Sequence, residues 1–359
     1  MIRILHCVNQ MNRAGLETQL MNVYRQVDRQ EIQFDFLTHR PTAGEYDRQI
    51  EAMGGRIFYA RRLYPWNYPA YFREMRGFFR EHPEYQIVHS HVDAMSFLPL
   101  MAAKQAKVPV RIAHSHSTAI DRDGKYPLKQ LFRHLLPAAA THGVACSQKA
   151  GKFLFRKQPF AVLPNGVSVE TFAFDASVRR EVRRMLGLEN KLVVGHAGRL
   201  TMAKNQDFLL KVFKAVASRR DSILLLAGSG EREQQLRQLA AELGIGEQVR
   251  FLGSREDLHR LYQAMDVFLL PSRYEGMPLV ALEAQAAGLP CLFSDRVSRE
   301  VAFSDGCQFL PLEESPQIWA EAVLRVAGRR YVPEDCPFAI PDTARQWTDF
   351  YKKEWEALW

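Results

Sequence analysis

Short apolar runs rich in β-branched and aromatic residues recur along this chain, and longer amphipathic stretches of helical period separate them. Residues 2–8 read as a strand, 16–27 as an amphipathic helix and 34–37 as a strand again. Strand-like runs continue at 87–89, 110–113, 143–146 and 161–163, and a second series follows at 192–197, 223–227, 249–252, 267–270 and 291–293. Alternation of this kind predicts parallel sheets covered by helices on both faces. The two series meet near Asn165-Gly166, a turn signal. The expected architecture is α/β, with two Rossmann-like, doubly wound parallel-sheet domains facing across a cleft. Residues 1–166 would form the first domain and 167–341 the second. The tail is helical in composition, with Trp347, Phe350, Tyr351, Trp355 and Trp359 nearly all three or four apart. A last helix over 342–359 packing back on the first domain is predicted. No internal repeat or low-complexity segment interrupts the pattern.

Composition adds bounds. A chain of 359 residues, 47% hydrophobic and 25% charged, is of ordinary globular type and long enough for two domains. No apolar run approaches the roughly 20 residues of a bilayer span, and the start reads as a strand rather than a signal segment. Five scattered cysteines without a C-x-x-C fit buried free thiols in a reducing cytoplasm. The net charge of +8 is uneven. Residues 1–166 hold 23 Lys and Arg against 13 Asp and Glu, and the remainder 25 against 27. A basic half predicts an anionic partner for the first domain. No zinc, homeodomain or RNP pattern points to nucleic acid; an anionic lipid surface or a phosphate-bearing acceptor fits at least as well.

Candidate chemistry concentrates where strands end. After the run 267–270 comes Pro271-Ser-Arg-Tyr-Glu275-Gly-Met-Pro-Leu-Val-Ala-Leu-Glu283, with Gly288 and Pro290 as a stop. Pro278 suits a first helical position and the following alanines favour helix, so a helix of about ten residues is expected. The free N–H groups of Leu279 and Val280 would then form an anion site. Eight helical residues between Glu275 and Glu283 rise about 12 Å, more than the roughly 5 to 9.5 Å that a glycosidase acid and base require. The two acids therefore suit different parts of one elongated ligand. Upstream, Gly198-Arg199-Leu-Thr-Met-Ala-Lys204 is a strand-end glycine followed by two cations able to clamp a diphosphate. Gly228-Ser-Gly230 is a weaker glycine turn.

In the first half, Ala14-Gly15-Leu16-Glu17 follows the first strand. One glycine makes no G-x-G-x-x-G, which weakens a nicotinamide-cofactor reading. His89-Ser-His91 and His114-Ser-His116 end two strands; each pair faces one way, yet no Cys, Asp or Glu stands at a third-ligand spacing. Asp121-Arg122-Asp123 has the letters of a metal motif but lies in a polar loop. Residues 59–80 interleave Arg61, Arg62, Arg73, Arg76 and Arg80 with Tyr64, Trp66, Tyr68 and other aromatics, a pattern suited to a membrane or acceptor surface. Phe72, Met75 and Phe79 also share a helical face and can point to the core.

The E-x7-E stretch from Glu275 to Glu283, with Gly276, Pro278 and Gly288, resembles the signature of retaining GT-B glycosyltransferases of the family-4 type. Gly198-Arg199 and Lys204 resemble the cations that hold the nucleotide pyrophosphate in that family, and Gly15 resembles the second glycine of its Gly-Gly-x-Glu loop, Ala14 replacing the first. The resemblance implies catalytic roles for His116, Glu275, Arg199 and Lys204, with His116 or, one alternation earlier, His114 facing the donor sugar. It implies donor contacts at Gly15, Gly198, Gly253, Arg255, Gly276, Met277, Leu279, Val280 and Glu283, the last on the ribose. It further implies transfer from a nucleoside-diphosphate sugar with retention, without a metal or other cofactor. The opening residues and Arg111-Ile-Ala-His-Ser-His116 look closest to the exopolysaccharide and capsule branch. There the acceptor is a polyprenyl-diphosphate-linked saccharide at the inner membrane face. A cytoplasmic enzyme peripheral to that membrane follows, docking through Arg61, Arg62, Trp66, Arg73 and Arg76. A silent sugar-nucleotide-binding protein and a nicotinamide-dependent dehydrogenase are the alternatives.

Overall fold

A computed structural model describes residues 1–120 and 123–359. The chain divides into two compact units, Met1–Gly166 with Ile340–Trp359, and Val167–Ala339.

The first unit is built on β1 (Ile2–Val8), β2 (Ile32–Thr38), β3 (Ile57–Tyr59), β4 (Ile87–Ser90), β5 (Val110–Ser115), β6 (His142–Ala145) and β7 (Ala161–Val162). These form one sheet in the order β3-β2-β1-β4-β5-β6-β7, every pair parallel. Strand order reverses between β1 and β4, a switch point of the doubly wound kind. The strands read as near-continuous apolar runs because helices cover both faces; Ile4, Phe34, Phe36, Ile87 and Ile112 are fully buried. Each such side chain contributes about 1.5 to 3 kcal/mol by leaving water. The closing helix Ile340–Glu356 completes this core, burying Trp347 and Tyr351 completely. Trp359 does not join them and is 92% exposed, because the helix has ended before it.

The second unit repeats the plan with β8 (Leu192–Ala197), β9 (Ser222–Ala227), β10 (Val249–Phe251), β11 (Val267–Leu270), β12 (Cys291–Ser294) and β13 (Cys307–Leu310). The order is β10-β9-β8-β11-β12-β13, again all parallel. The switch point falls between β8 and β11, the two strands whose ends carry Gly198-Arg199 and Glu275. Among the described residues thirteen strands stand where the sequence pattern has eleven runs, and the two additions, β3 and β13, lie at sheet edges and are three and four residues long.

The aromatic–arginine stretch divides. The helix Tyr68–Glu81 turns Tyr71, Met75 and Phe79 into the core and leaves Arg73, Arg76 and Arg80 outside. Trp66 stays on the surface, 78% exposed, stacked on Tyr64 with ring centroids 4.6 Å apart. Arg61 pairs with Glu74, and the Arg62 guanidinium lies over the Tyr64 ring. Asp121 and Arg122 lie outside the described residues; Asp123 pairs with Lys129 at 2.9 Å. Among the described residues no helix is long and apolar enough to cross a membrane.

Candidate active site

In the second unit the strand-end loops are laced together by backbone. Gly198 N–H donates to the Ala227 carbonyl at 2.9 Å, Leu200 N–H to Ser229 at 2.9 Å, and Gly228 N–H to Gly253 at 2.7 Å. Gly228 has φ +129°, and a Cβ there would stand 2.1 Å from the Gly198 carbonyl oxygen. A Cβ on Gly230 would stand 2.3 Å from the Leu200 carbonyl oxygen. The glycine turn that looks like a weak phosphate cradle in sequence thus serves to let one loop press against the next. What it supports is the loop bearing Arg199.

Arg199 is exposed, and its carbonyl accepts from the buried Gln206 side chain at 3.0 Å. Gln206 also meets His196 Nε2 at 3.2 Å, whose Nδ1 pairs with the Leu269 carbonyl at 2.9 Å, so β8 and β11 hold the loop from beneath. Five residues on, a short turn at Met202–Lys204 ends in Asn205, left-handed with φ +57°. The Asn205 amide donates to the Pro271 carbonyl at 3.1 Å and its oxygen accepts from Arg273 at 3.1 Å, while Arg273 N–H donates to the Ala203 carbonyl at 2.7 Å. These three bonds fix the Lys204 loop against the loop after β11. In consequence Lys204 Nζ lies 2.6 Å from Glu275 Oε1, which also accepts from Ser272 Oγ at 2.8 Å. The Lys204 stem passes over Gly198, whose Cβ, if present, would stand 3.2 Å from Lys204 Cε.

Pro278 is the cap rather than the first residue of the next helix, which runs Leu279–Ala286. Its length is eight residues, not ten, because Pro278 and Ala287 are its caps rather than helical residues, and the left-handed Gly288 with φ +68° follows as expected. No side chain caps its start, so the N–H groups of Leu279 and Val280 are among those with no intrahelical acceptor. Glu283 comes about one turn into this helix, and only half of the interval back to Glu275 is helical. It is not a solvated surface residue: its carboxylate is buried and accepts from the buried Tyr262 hydroxyl at 2.9 Å. Burial pushes the Glu283 carboxyl up to about 7, against the lowering pull of the Tyr262 bond. Gly276 and Met277, in the loop before the helix, are buried as well. Gly253 is left-handed, with φ +66°, and Arg255 spends its guanidinium at the surface on Asp257 at 2.8 and 2.7 Å.

Sequence reasoning missed Gln206, Asn205, Arg273 and Tyr262 as supports of this site. Asn205 carried a signal, as an asparagine just after a candidate cation tolerates the left-handed turn; Tyr262 carried none. A concavity of the second unit, lined by Arg179, Arg183, Lys191 and Asp266 among others, lies at the opposite ends of β8 and β11. Arg179 and Arg183 are committed there to Asp266 and to backbone carbonyls, which makes it a structural junction.

In the first unit Gly15 opens the helix Gly15–Gln26. A Cβ there would meet nothing within 4 Å, so the fold itself does not require glycine at this place. His114 is fully buried and bonds His89 through Nδ1 at 3.1 Å; His116 is half-buried and bonds His91 through Nε2 at 3.1 Å. The third partner that spacing did not supply is His6 of β1, whose Nδ1 meets His91 Nε2 at 2.9 Å. His6, His89 and His91, and likewise His91, His114 and His116, bring one nitrogen each within 4.8 Å of one another. Yet the nitrogens of successive rings point at each other across hydrogen bonds, an arrangement that suits shared protons better than one shared metal.

Residues 13–171 match the family model described as Glycosyltransferase Family 4, and residues 178–329 that described as Glycosyl transferases group 1. The chain is 38% identical over 337 residues to EpsF of Bacillus subtilis (strain 168), a protein assigned as a glycosyltransferase, covering 91% of this chain and 88% of that one. It is 31% identical over 225 residues to an Escherichia coli UDP-Gal:alpha-D-GlcNAc-diphosphoundecaprenol alpha-1,3-galactosyltransferase, covering 59% and 58% of the two chains. In fold it is similar to HepE of Anabaena, solved in complex with UDP and glucose, with a TM-score of 0.81 at 17% identity, covering 98% and 100% of the two chains.

Proposed function

The chain belongs to the group 1 and family 4 glycosyltransferases, and from that premise we propose that it moves a sugar from a UDP-sugar to an acceptor hydroxyl with retention of configuration. The observation that carries this reading is the grouping at the β8 and β11 ends of Arg199, Lys204, Glu275 and an uncapped helix start. As the bond from the sugar C1 to the donor phosphate breaks, its electron pair leaves with the diphosphate. Arg199, Lys204 and the Leu279 and Val280 N–H groups stabilise that charge without needing a metal. The acceptor oxygen attacks C1 from the same face, and its proton passes to the departing phosphate oxygen. Glu275 holds sugar hydroxyls once the diphosphate has drawn Lys204 away, Glu283 takes the ribose, and His116 is the histidine that faces the sugar. Gly15, Gly198, Gly253, Arg255, Gly276 and Met277 complete the donor contacts in this reading.

The acceptor we propose is a polyprenyl-diphosphate-linked saccharide in surface polysaccharide synthesis, of the exopolysaccharide or capsule kind. The E. coli relative, by its name, acts on a diphosphoundecaprenol-linked sugar, which supports this. The basic first segment and the exposed Trp66 beside Arg61 and Arg62 support a peripheral position on an anionic membrane surface at the cytoplasmic face.

The test is a thermal-shift panel of nucleotide sugars followed by incubation with the radiolabelled binder. A rise in melting temperature with slow donor hydrolysis supports the transferase. Binding with no turnover, with or without lipid-linked acceptor, favours a silent sugar-nucleotide-binding protein. Indifference to every nucleoside-diphosphate sugar sinks both.

A further inference from the structure

Five histidines share one face of the first unit's sheet, and the transfer reaction described above uses only one of them. His6 on β1, His89 and His91 at the end of β4, and His114 and His116 at the end of β5 pack ring on ring beneath Trp347, with centroids 4.0 to 5.6 Å apart for the neighbouring pairs. Within the cluster one unbroken file of hydrogen bonds runs outward. His6 Nδ1 meets His91 Nε2 at 2.9 Å, and His91 Nδ1 meets His116 Nε2 at 3.1 Å. His6 and His91 are buried, while His116 is only half-buried and its backbone N–H is anchored to Asp93 at 2.8 Å. Among the described residues no group pairs with His116 Nδ1.

A neutral imidazole carries one N–H, so the protons in this file must all point the same way. If they point inward, His6 Nε2 carries a hydrogen; that nitrogen is buried and without a partner. If they point outward, the same atom is a bare lone pair. An orphaned buried N–H is the rarer of the two defects, so the outward direction is favoured. Burial supplies the neutrality the argument needs: it pushes His6 and His116 down to about 3 and holds His91 well below the usual histidine range. The second file, Tyr351 to His89 to His114, ends on a His114 Nε2 that is buried and unpartnered, and it never reaches His116 through a hydrogen bond.

We infer that His91 and, behind it, His6 are positioning residues that hold His116 in the tautomer protonated at Nδ1, presenting Nδ1–H as a fixed donor to an oxygen of the bound sugar. The inference rests on the reading above that His116 faces the donor. Strand order makes the device possible, since β1, β4 and β5 are consecutive in the sheet. The cluster is a tautomer lock.

The experiment uses the full chain labelled with [15N]histidine and two-bond proton–nitrogen correlation spectra. Protonation of His116 at Nδ1 in the wild type is the expected result; protonation at Nε2 overturns the inference. His91→Phe keeps the ring volume and removes both bonds. It is expected to shift His116 towards the Nε2-protonated form and to lower kcat/KM of transfer roughly tenfold, the size of one lost hydrogen bond, with donor KM less affected than kcat. His91→Gln, which can still accept from His6 and donate to His116, is expected to restore most of the rate. Equal losses in the two variants mean a merely structural role and overturn the inference, as does zinc bound stoichiometrically after purification. His116→Ala separates the two levels: full transfer there removes the donor-facing reading itself, whereas loss there with none in His91→Phe removes the lock alone.

Discussion

Lys204 Nζ and Glu275 Oε1 stand 2.6 Å apart, both side chains largely shielded from water. Each is the other's counter-charge. In the reading proposed above, a diphosphate competes for the ammonium and releases the carboxylate towards sugar hydroxyls, so that the pair couples arrival of the anion to readiness of Glu275.

Removing the cation tests this directly. Lys204→Ala is expected to reduce transfer at least about 100-fold, the scale of one lost transition-state contact. The melting temperature should move by only a few degrees, since Ser272 still donates to Glu275. Radiolabel transfer and a melting curve on one preparation check both parts; full activity would remove the lysine from the mechanism.

Glu283 gives a prediction in pH. Its folded value is pushed up to about 7, above the ordinary carboxyl value. The folded state therefore holds this proton over a range in which the unfolded state has released it. Its stabilising contribution is present below about pH 4.5 and is lost as pH rises to about 7. Glu283→Gln keeps an acceptor for Tyr262 and removes the titration. The variant should lose part of the decline in stability between pH 5 and 7 and gain on the order of 2 to 3 kcal/mol at pH 8. Denaturation curves at a series of pH values measure it, and transfer should fall meanwhile because the ribose contact proposed for Glu283 is weakened.

Gly228→Ala asks whether the glycine turn serves the neighbouring loop. The added Cβ has no room beside the Gly198 carbonyl, and φ +129° is strained for any side chain. A loss of at least about 2 kcal/mol is expected, together with weaker binding of nucleotide sugar by calorimetry. Tight donor binding in the variant would show that the loop bearing Arg199 tolerates displacement.

Tyr351→Phe removes the hydroxyl that lies 2.6 Å from His89 Nδ1 and leaves that buried nitrogen unpaired. A loss of about 1 to 3 kcal/mol in chemical denaturation is expected. The His116 tautomer should be unchanged, since the tyrosine belongs to the other file of rings.

Much of the fold was legible because parallel strands buried on both faces are written as bare apolar runs. The runs at β8 and β11 coincide with the predicted boundaries, as both are closed by a glycine or a proline. The sequence pattern did not mark the edge strands β3 and β13, although it marked the equally short edge strands β7 and β10. Strand-end glycines and cations pointed to Arg199 and Lys204, but which acid Lys204 meets depended on Asn205 and Arg273, bonds made across 66 and 68 residues of sequence. Two His-Ser-His triplets were visible as local repeats. Their connection through His6, 85 residues from His91, follows from strand order alone, which no local pattern encodes.

Because Trp347 and Tyr351 fill the core of the unit built on Met1–Gly166, that unit is incomplete until the residues beyond Ala339 have been synthesised. The unit from Val167 to Ala339 has all its strands beforehand. Synthesis thus inverts the usual order, and the unit that starts later is the one equipped to fold first. Deleting residues 340–359 would leave the first unit without part of its core while Val167–Ala339 keeps all its strands.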